Sequence, residues 1–214
     1  MRDLSRITLC SLIFYPLPFI AQAEGQVQGV HSARSTAESF EGFAIQGAVG
    51  YQPFVINGND IRISNTRYKL PDQNYYGSST PYFVGLSYTA AISHSVTLGA
   101  QIELNPINQQ YVFSVLPGYA VTPDLQGYLK LAWVNALVTV NSGLNQDKFS
   151  MTTNGMTAGL GVKQLLSENW YGFVEANYVK MNTFKFSGAI YNMPLNGNAD
   201  YSGFNIMIGA GYKF

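Results

Sequence analysis

Two histidines and five charges set among apolar residues are what could do chemistry in this chain of 214 residues. A serine nucleophile needs an imidazole beside it to take its proton, and an acid to orient that imidazole. His94 lies between Ser93 and Ser95, but the run Ile92-Ser93-His94-Ser95-Val96 has the make-up of a tight turn, and His31 stands in a polar stretch. His94 therefore reads as a turn residue, and no catalytic, cofactor-binding or metal-ligating residue is assigned. The five charges are Glu103, Lys130, Lys163, Glu175 and Lys213. They suit either an ion path or a set of paired charges that closes one. Which of the two applies depends on the elements that carry them.

Charged residues make up 11% of the chain and aromatics 14%, whereas soluble domains carry about 25% charged residues. The 12 bases balance the 12 acids, so nothing favours nucleic acid or a polybasic membrane anchor. The length suits one domain. Met1–Ala23 reads as an export signal. Arg2 and Arg6 form its basic start, Ile7 to Ile20 its apolar stretch, and Ala21-Gln22-Ala23 its small-x-small cleavage site. Pro16 and Pro18 and the short length speak against a spanning helix there. Cys10, the single cysteine, lies inside this segment, so no disulfide is expected in the exported chain. Residues 24–40 are expected to be a polar periplasmic lead-in.

From about residue 41 onward, apolar and polar residues alternate with period two, the pattern of strands with two unlike faces. The last strand shows it best, with Phe204, Ile206, Ile208, Ala210, Tyr212 and Phe214 on one face. Seven further strands are expected at about 41–52, 81–92, 96–104, 110–121, 125–137, 154–165 and 170–181. All five charges fall on the face opposite the apolar set. A charge on a lipid-facing row costs roughly 2 to 4 kcal/mol at mid-membrane, so that face is where a bilayer would exclude it.

Three connections repeat one turn chemistry: residues 92–96, Val121-Thr122-Pro123-Asp124-Leu125, and Leu166-Ser167-Glu168-Asn169-Trp170. The other connections, about 53–80, 105–109, 138–153 and 182–202, are mostly longer and rich in Asn and Gly. Short turns on one side and long loops on the other describe a transmembrane barrel with its loops outside the cell.

At this point the chain resembles the small outer-membrane barrels, namely the transmembrane domain of outer membrane protein A, its OmpX relatives and the opacity-type surface proteins. The resemblance covers about 41–214. Its most specific part is Ile206-x-Ile208-x-Ala210-x-Tyr212-x-Phe214, which looks like the C-terminal signal read by the outer-membrane assembly machinery. It implies an all-β, eight-stranded antiparallel up-and-down barrel in the Gram-negative outer membrane. It also implies export through the periplasm with chaperones, contact with outer-membrane lipids and lipopolysaccharide, and a monomeric state. Neither the His-x-Ser-Asn motif of the lipid A deacylase barrels nor the acidic pairs of the omptin proteases is found.

Eight strands enclose a space that side chains can fill. Inward Phe83, Tyr128, Tyr171 and Phe173 are expected to fill it, with inward Gly85, Gly99, Gly159 and Gly209 making room. Glu175 is expected to be the acidic centre of a cluster with Lys130, Lys163 or Lys213, and Glu103 to stand apart. Arg62, Arg67, Tyr68 and Lys69 in the first long loop are candidates for a host or lipopolysaccharide polyanion. The expected function is a non-enzymatic, structural or adhesin-like surface barrel. A narrow passive channel and a lipid A-modifying or proteolytic enzyme are the alternatives.

Overall fold

The computed structural model describes residues 35–63, 69–106, 109–141, 148–190 and 193–214, with side chains described except at 138–141, 148–151, 186–190 and 193–195. The expected signal Met1–Ala23, residues 24–34 with His31, and Arg67 and Tyr68 lie outside the described residues. The strands are β1 (Gly42–Ile63), β2 (Gln73–Ser79), β3 (Tyr82–Ala91), β4 (Val96–Asn105) and β5 (Gln110–Ala120). They continue with β6 (Leu125–Asn141), β7 (Lys148–Leu165), β8 (Trp170–Met181), β9 (Phe184–Ile190) and β10 (Met193–Lys213).

Eight of these strands form one antiparallel ring, β1-β3-β4-β5-β6-β7-β8-β10, which closes because β10 pairs back onto β1 from Ala44↔Lys213 upward. A closed ring leaves no ladder edge at membrane depth, so the backbone needs no partner from lipid. The two remaining strands continue members of the ring. On β1, Val49↔Tyr82 and Gln52↔Ser79 keep one register, so β2 and β3 are one strand interrupted at Thr80-Pro81. Pro81 has no N–H to give, but its carbonyl accepts from the Gly50 N–H at 3.0 Å. On β10, Ser202↔Lys180 and Ala199↔Phe184 differ by one residue in register. The extra residue at this junction is a bulge between β8 and β9.

The stretches expected as long loops are therefore largely strand. β1 runs 22 residues and β10 runs 21, and above the rim they pair from Phe54↔Gly203 to Ile63↔Leu195 with β2 and β9 on their flanks. Similarly, β6 and β7 pair as far as Asn141↔Lys148. The reason the pattern missed them is solvent. Outside the hydrocarbon layer neither face has to be apolar, so the period-two signal fades while the backbone ladder continues. Asn57↔Asp200 and Asn59↔Asn198 are paired in just such a polar stretch.

The three repeated turns form alike. Ile92, Val121 and Leu166 each donate their N–H, at 2.8 Å, to the carbonyl of the residue four places on. Ser93, Thr122 and Ser167 donate to the same carbonyls at 3.2 Å. Side chains reinforce two of them: the Thr122 and Ser167 hydroxyls accept from the Leu125 and Trp170 N–H groups at 3.1 Å. The Thr122 hydroxyl, then the Gln164 amide at 2.7 Å, hold the Asp124 carboxyl below its ordinary range. Shared backbone chemistry explains why the five-residue repeat was readable.

The outer face carries Ile45, Leu86, Ile102, Val115, Leu131, Leu160, Val174 and Ile208, all exposed. Such a surface suits hydrocarbon and not water. Exposed aromatics lie near its two ends: Tyr51, Tyr82, Tyr111, Phe113 and Trp133 at the outer one, Tyr119, Trp170 and Phe214 at the periplasmic one. Tyr and Trp favour such interfaces.

The lead-in differs from its expectation at its end. Ala37–Phe40 forms a short 3-10 helix, η1, which buries Ala37 and Phe40 fully. Ser35 and Glu38 bond each other's backbone N–H at 3.3 and 3.1 Å, and the Ala37 N–H donates to the His94 carbonyl at 2.9 Å. Gly42, at φ +127°, then turns the chain into β1, a conformation open to glycine and rarely to other residues.

Candidate functional site

The lumen is filled in three layers. The middle layer holds the charges. Alternation on β4, β6 and β8 turns Glu103, Lys130 and Glu175 inward, and all three are at most 2% exposed. The Lys130 ammonium donates to Glu103 Oε2 at 2.6 Å and to Glu175 Oε2 at 2.9 Å. Glu175 also accepts from the Tyr128 hydroxyl at 2.8 Å and from Asn177 Nδ2 at 3.2 Å. The Asn177 amide also donates to Asn205 Oδ1 at 2.9 Å. One cation between two carboxylates, tied by hydrogen bonds to the walls, cross-links four strands. Buried charges persist when they are paired in this way.

Glu175 has the lysine partner expected of it. Glu103 does not stand apart, which corrects its expected place: Lys130 bridges both acids. Barrel strands are tilted, and the interior of an eight-stranded barrel is only side-chain wide. A long lysine stem therefore reaches acids that lie at different heights along their strands. Lys163 and Lys213, although inward, make no ion pair with Glu175. The Lys163 ammonium lies over the rings of Tyr171, at 4.7 Å, and Tyr128, at 5.9 Å. The Lys213 ammonium donates to the Ser39 carbonyl of η1.

Above the charges, toward the cell exterior, Phe83, Val112, Ala132, Val134, Ala136, Val179, Met181 and Met207 form one apolar plug. Below them, Tyr171 and Phe173 pack with Ala44 and Leu165, and the Tyr171 hydroxyl donates to Gln46 Oε1 at 2.9 Å. Glycines on the neighbouring strands provide the room. A Cβ at Gly161 would come within 2.2 Å of the Tyr128 ring, one at Gly209 within 2.3 Å of Phe173, and one at Gly211 within 2.2 Å of Tyr171. In each case the glycine is the register partner of the aromatic residue. Of the expected spacers, Gly159 faces Asn177 and Gly85 faces Glu103. Sequence reasoning missed Tyr128 and Asn177 as partners of Glu175, and Asn205 as the partner of Asn177. The visible signal was parity: each is an inward polar residue near a buried charge.

The second candidate set lies on the extension. Arg62 and Lys69 are bridge partners, and both reach Asp60, at 3.1 and 3.6 Å. Asp60 sits at φ +50°, where the register between β1 and β10 slips. The Arg62 guanidinium and then the Lys69 ammonium hold its carboxyl below the usual range. Two bases sharing one exposed acid leave local positive charge. Tyr75 and Tyr76 on β2 are exposed, opposite Ile56 and Val55 on β1.

The third set is the last strand. Ile206, Ile208, Ala210 and Phe214 point outward and exposed, and Tyr212 is half-buried. Tyr212 packs edge-on against Trp170 and Phe214, with ring centres 5.3 and 5.2 Å apart. The Phe214 N–H donates to the Phe43 carbonyl at 2.9 Å, so the final residue sits in the seam that closes the ring. His94 is an exposed turn residue, and among the described residues no group of acids, histidines or cysteines could hold a metal ion.

No protein-family model and no curated protein matches this chain. Solved structures do. The outer membrane protein OprG from Pseudomonas aeruginosa is 17% identical, over 81% of this chain and 96% of that one, with a TM-score of 0.53. The outer membrane protein AlkL, solved in lipid bilayers, is 13% identical, over 90% of this chain and 97% of that one, with a TM-score of 0.50. Such likeness carries the fold, which is that of a small outer-membrane β-barrel.

Proposed function

We propose that this outer-membrane barrel is a closed, non-enzymatic scaffold, structural or adhesin-like, whose work is done by the strands and loops it holds above the membrane. The observation that carries this reading is the filled lumen. An apolar plug lies over a paired charge cluster, with aromatic rings beneath, so solutes have no polar route along the axis. The extension supplies the contact surface, where Arg62 and Lys69 outnumber Asp60 and where Tyr75 and Tyr76 are exposed farther along on β2. That combination suits a polyanion, either a sulfated host surface or the phosphates of lipopolysaccharide. On this reading the barrel is a monomer, delivered by periplasmic chaperones and inserted by the assembly machinery through its last strand.

Cells displaying the protein should bind immobilised heparin in a salt-sensitive way, and Arg62→Ala with Lys69→Ala should reduce that binding several-fold at equal surface expression. Equal binding by the double variant would remove the extension from the role. Heparin probes the host surface; an effect on detergent or polymyxin sensitivity alone would assign the bases to lipopolysaccharide instead.

A further inference from the structure

The outer wall of the barrel changes character where β8 passes into β9. Between the two aromatic belts its exposed rows carry no charge among the described residues. At the upper end of β8 two lysines then point outward. Lys180 is the register partner of Ser202 on β10 and of Met156 on β7, and Lys185 on β9 is the partner of Asn198 on β10; both are exposed. Even-numbered positions form the outward row of β10, as exposed Phe204, Ile206 and Ile208 show. Paired residues of an antiparallel sheet share a face, so both lysines project from the wall and not into the lumen.

Their height follows from the strand. On β8 the exposed belt residues Trp170 and Tyr178 are separated by a stretch that, at about 3.4 Å per residue and a tilt of about 40°, rises roughly 20 Å, close to the about 25 Å of an outer-membrane apolar band. Lys180 follows Tyr178 on the same row, at the level where acyl chains give way to headgroups. Among the described residues no carboxylate lies within 4.0 Å of the Lys180 or Lys185 ammonium. Asp200, the acid between them on β10, accepts from the Asn59 amide at 3.0 Å and from the Thr183 hydroxyl, so two bases face one acid that is already held. Asn182, exposed between them, gives one amide hydrogen to Asn154 and has a second to offer. At the periplasmic end the exposed charged side chains among the described residues are Glu41, Asp124 and Glu168, all acids. Lysines that served only to reach past the apolar wall would suit either end, whereas these stand at the outer one alone.

We propose that Lys180 and Lys185 form a phosphate-binding site on the lipid-facing wall for the glycolipid of the outer leaflet, a phosphorylated sugar headgroup carried on acyl chains. The lysines take the phosphates as point charges, and exposed Tyr178 and Phe204 beneath them meet the acyl chains. The two lysines are four places apart in register on β10, about 13 Å along the strand, so a disaccharide with a phosphate at each end can meet both. The site is separate from Arg62 and Lys69 and stands whichever polyanion those two bind.

The test uses the full barrel refolded in detergent, with lipid A added and the retained lipid counted by native mass spectrometry. The unaltered protein should retain lipid A, and should retain several-fold less of phosphatidylcholine or of lipid A stripped of its phosphates. Lys180→Gln with Lys185→Gln should lower lipid A retention several-fold while heat-modifiable migration stays normal. Arg62→Ala with Lys69→Ala should leave it unchanged, which separates this site from the surface proposed above. Should the lysine variant fail to fold, the unaltered protein still decides: in vesicles containing lipid A, a water-soluble reagent should acetylate Lys180 and Lys185 several-fold more slowly than in phosphatidylcholine vesicles. Equal retention by the lysine variant and the unaltered protein, equal retention of lipid A with and without its phosphates, or equal acetylation in the two vesicles would overturn the proposal.

Discussion

At the scale of single residues, the interior depends on a few pairings whose loss from one side is costly. Glu175 accepts from Lys130, Tyr128 and Asn177, so Glu175→Ala leaves Lys130 with one acid and strands two further donors. Breaking a buried pair from one side typically costs about 3 to 5 kcal/mol. Urea unfolding of the variant in detergent should show a loss of that order, and an unchanged midpoint would show that the cluster bears no load. Gly161→Val tests packing in the same way. Its side chain would occupy the place of the Tyr128 ring, and overpacking costs typically 1 to 3 kcal/mol. Much of this site was legible in the sequence. Parity alone turned Glu103, Lys130, Lys163, Glu175 and Lys213 inward, and all of them do face that way. Parity says nothing about height along a tilted strand, which is why Glu103 was expected apart from the cluster it joins.

At the scale of elements, turns and membrane strands were readable because each is dictated locally. Tight turns restrict residue type, and lipid forbids polar side chains on one face. The β1 and β10 extensions were not readable, since what forms them is pairing between two polar stretches more than a hundred residues apart. Hydrogen exchange gives the check. The amides of Phe54 to Asn57, laddered on both sides by β2 and β10, should exchange much more slowly than those of the turn at Ser93 to Ser95; equal rates would mean that the extension is not a stable sheet. The last strand belongs to this scale as well. Deleting Phe214 removes the N–H bonded to Phe43 and the ring packed on Tyr212. Outer-membrane yield should drop far below that of a turn variant such as Glu168→Ala, and equal yields would make the likeness of Ile206 to Phe214 to an assembly signal accidental.

For the whole molecule, the ring of eight strands and its apolar girdle span a membrane, and among the described residues no helix is long and apolar enough to do so. Composition already indicated this, since a chain with so few charges must place its apolar faces against something other than water. The end of the lead-in escaped that reading. Residues 24–40 read only as a polar lead-in, whereas Ala37 and Phe40 are buried in the periplasmic mouth. The central claim is that the lumen is closed, and single-channel recording of the unaltered protein in a planar bilayer tests it most directly. With the apolar plug over the Glu103–Lys130–Glu175 cluster, the account predicts a flat baseline across the voltage range in 1 M salt, under conditions in which a general porin opens readily. Sustained, reproducible openings of the unaltered barrel would contradict it.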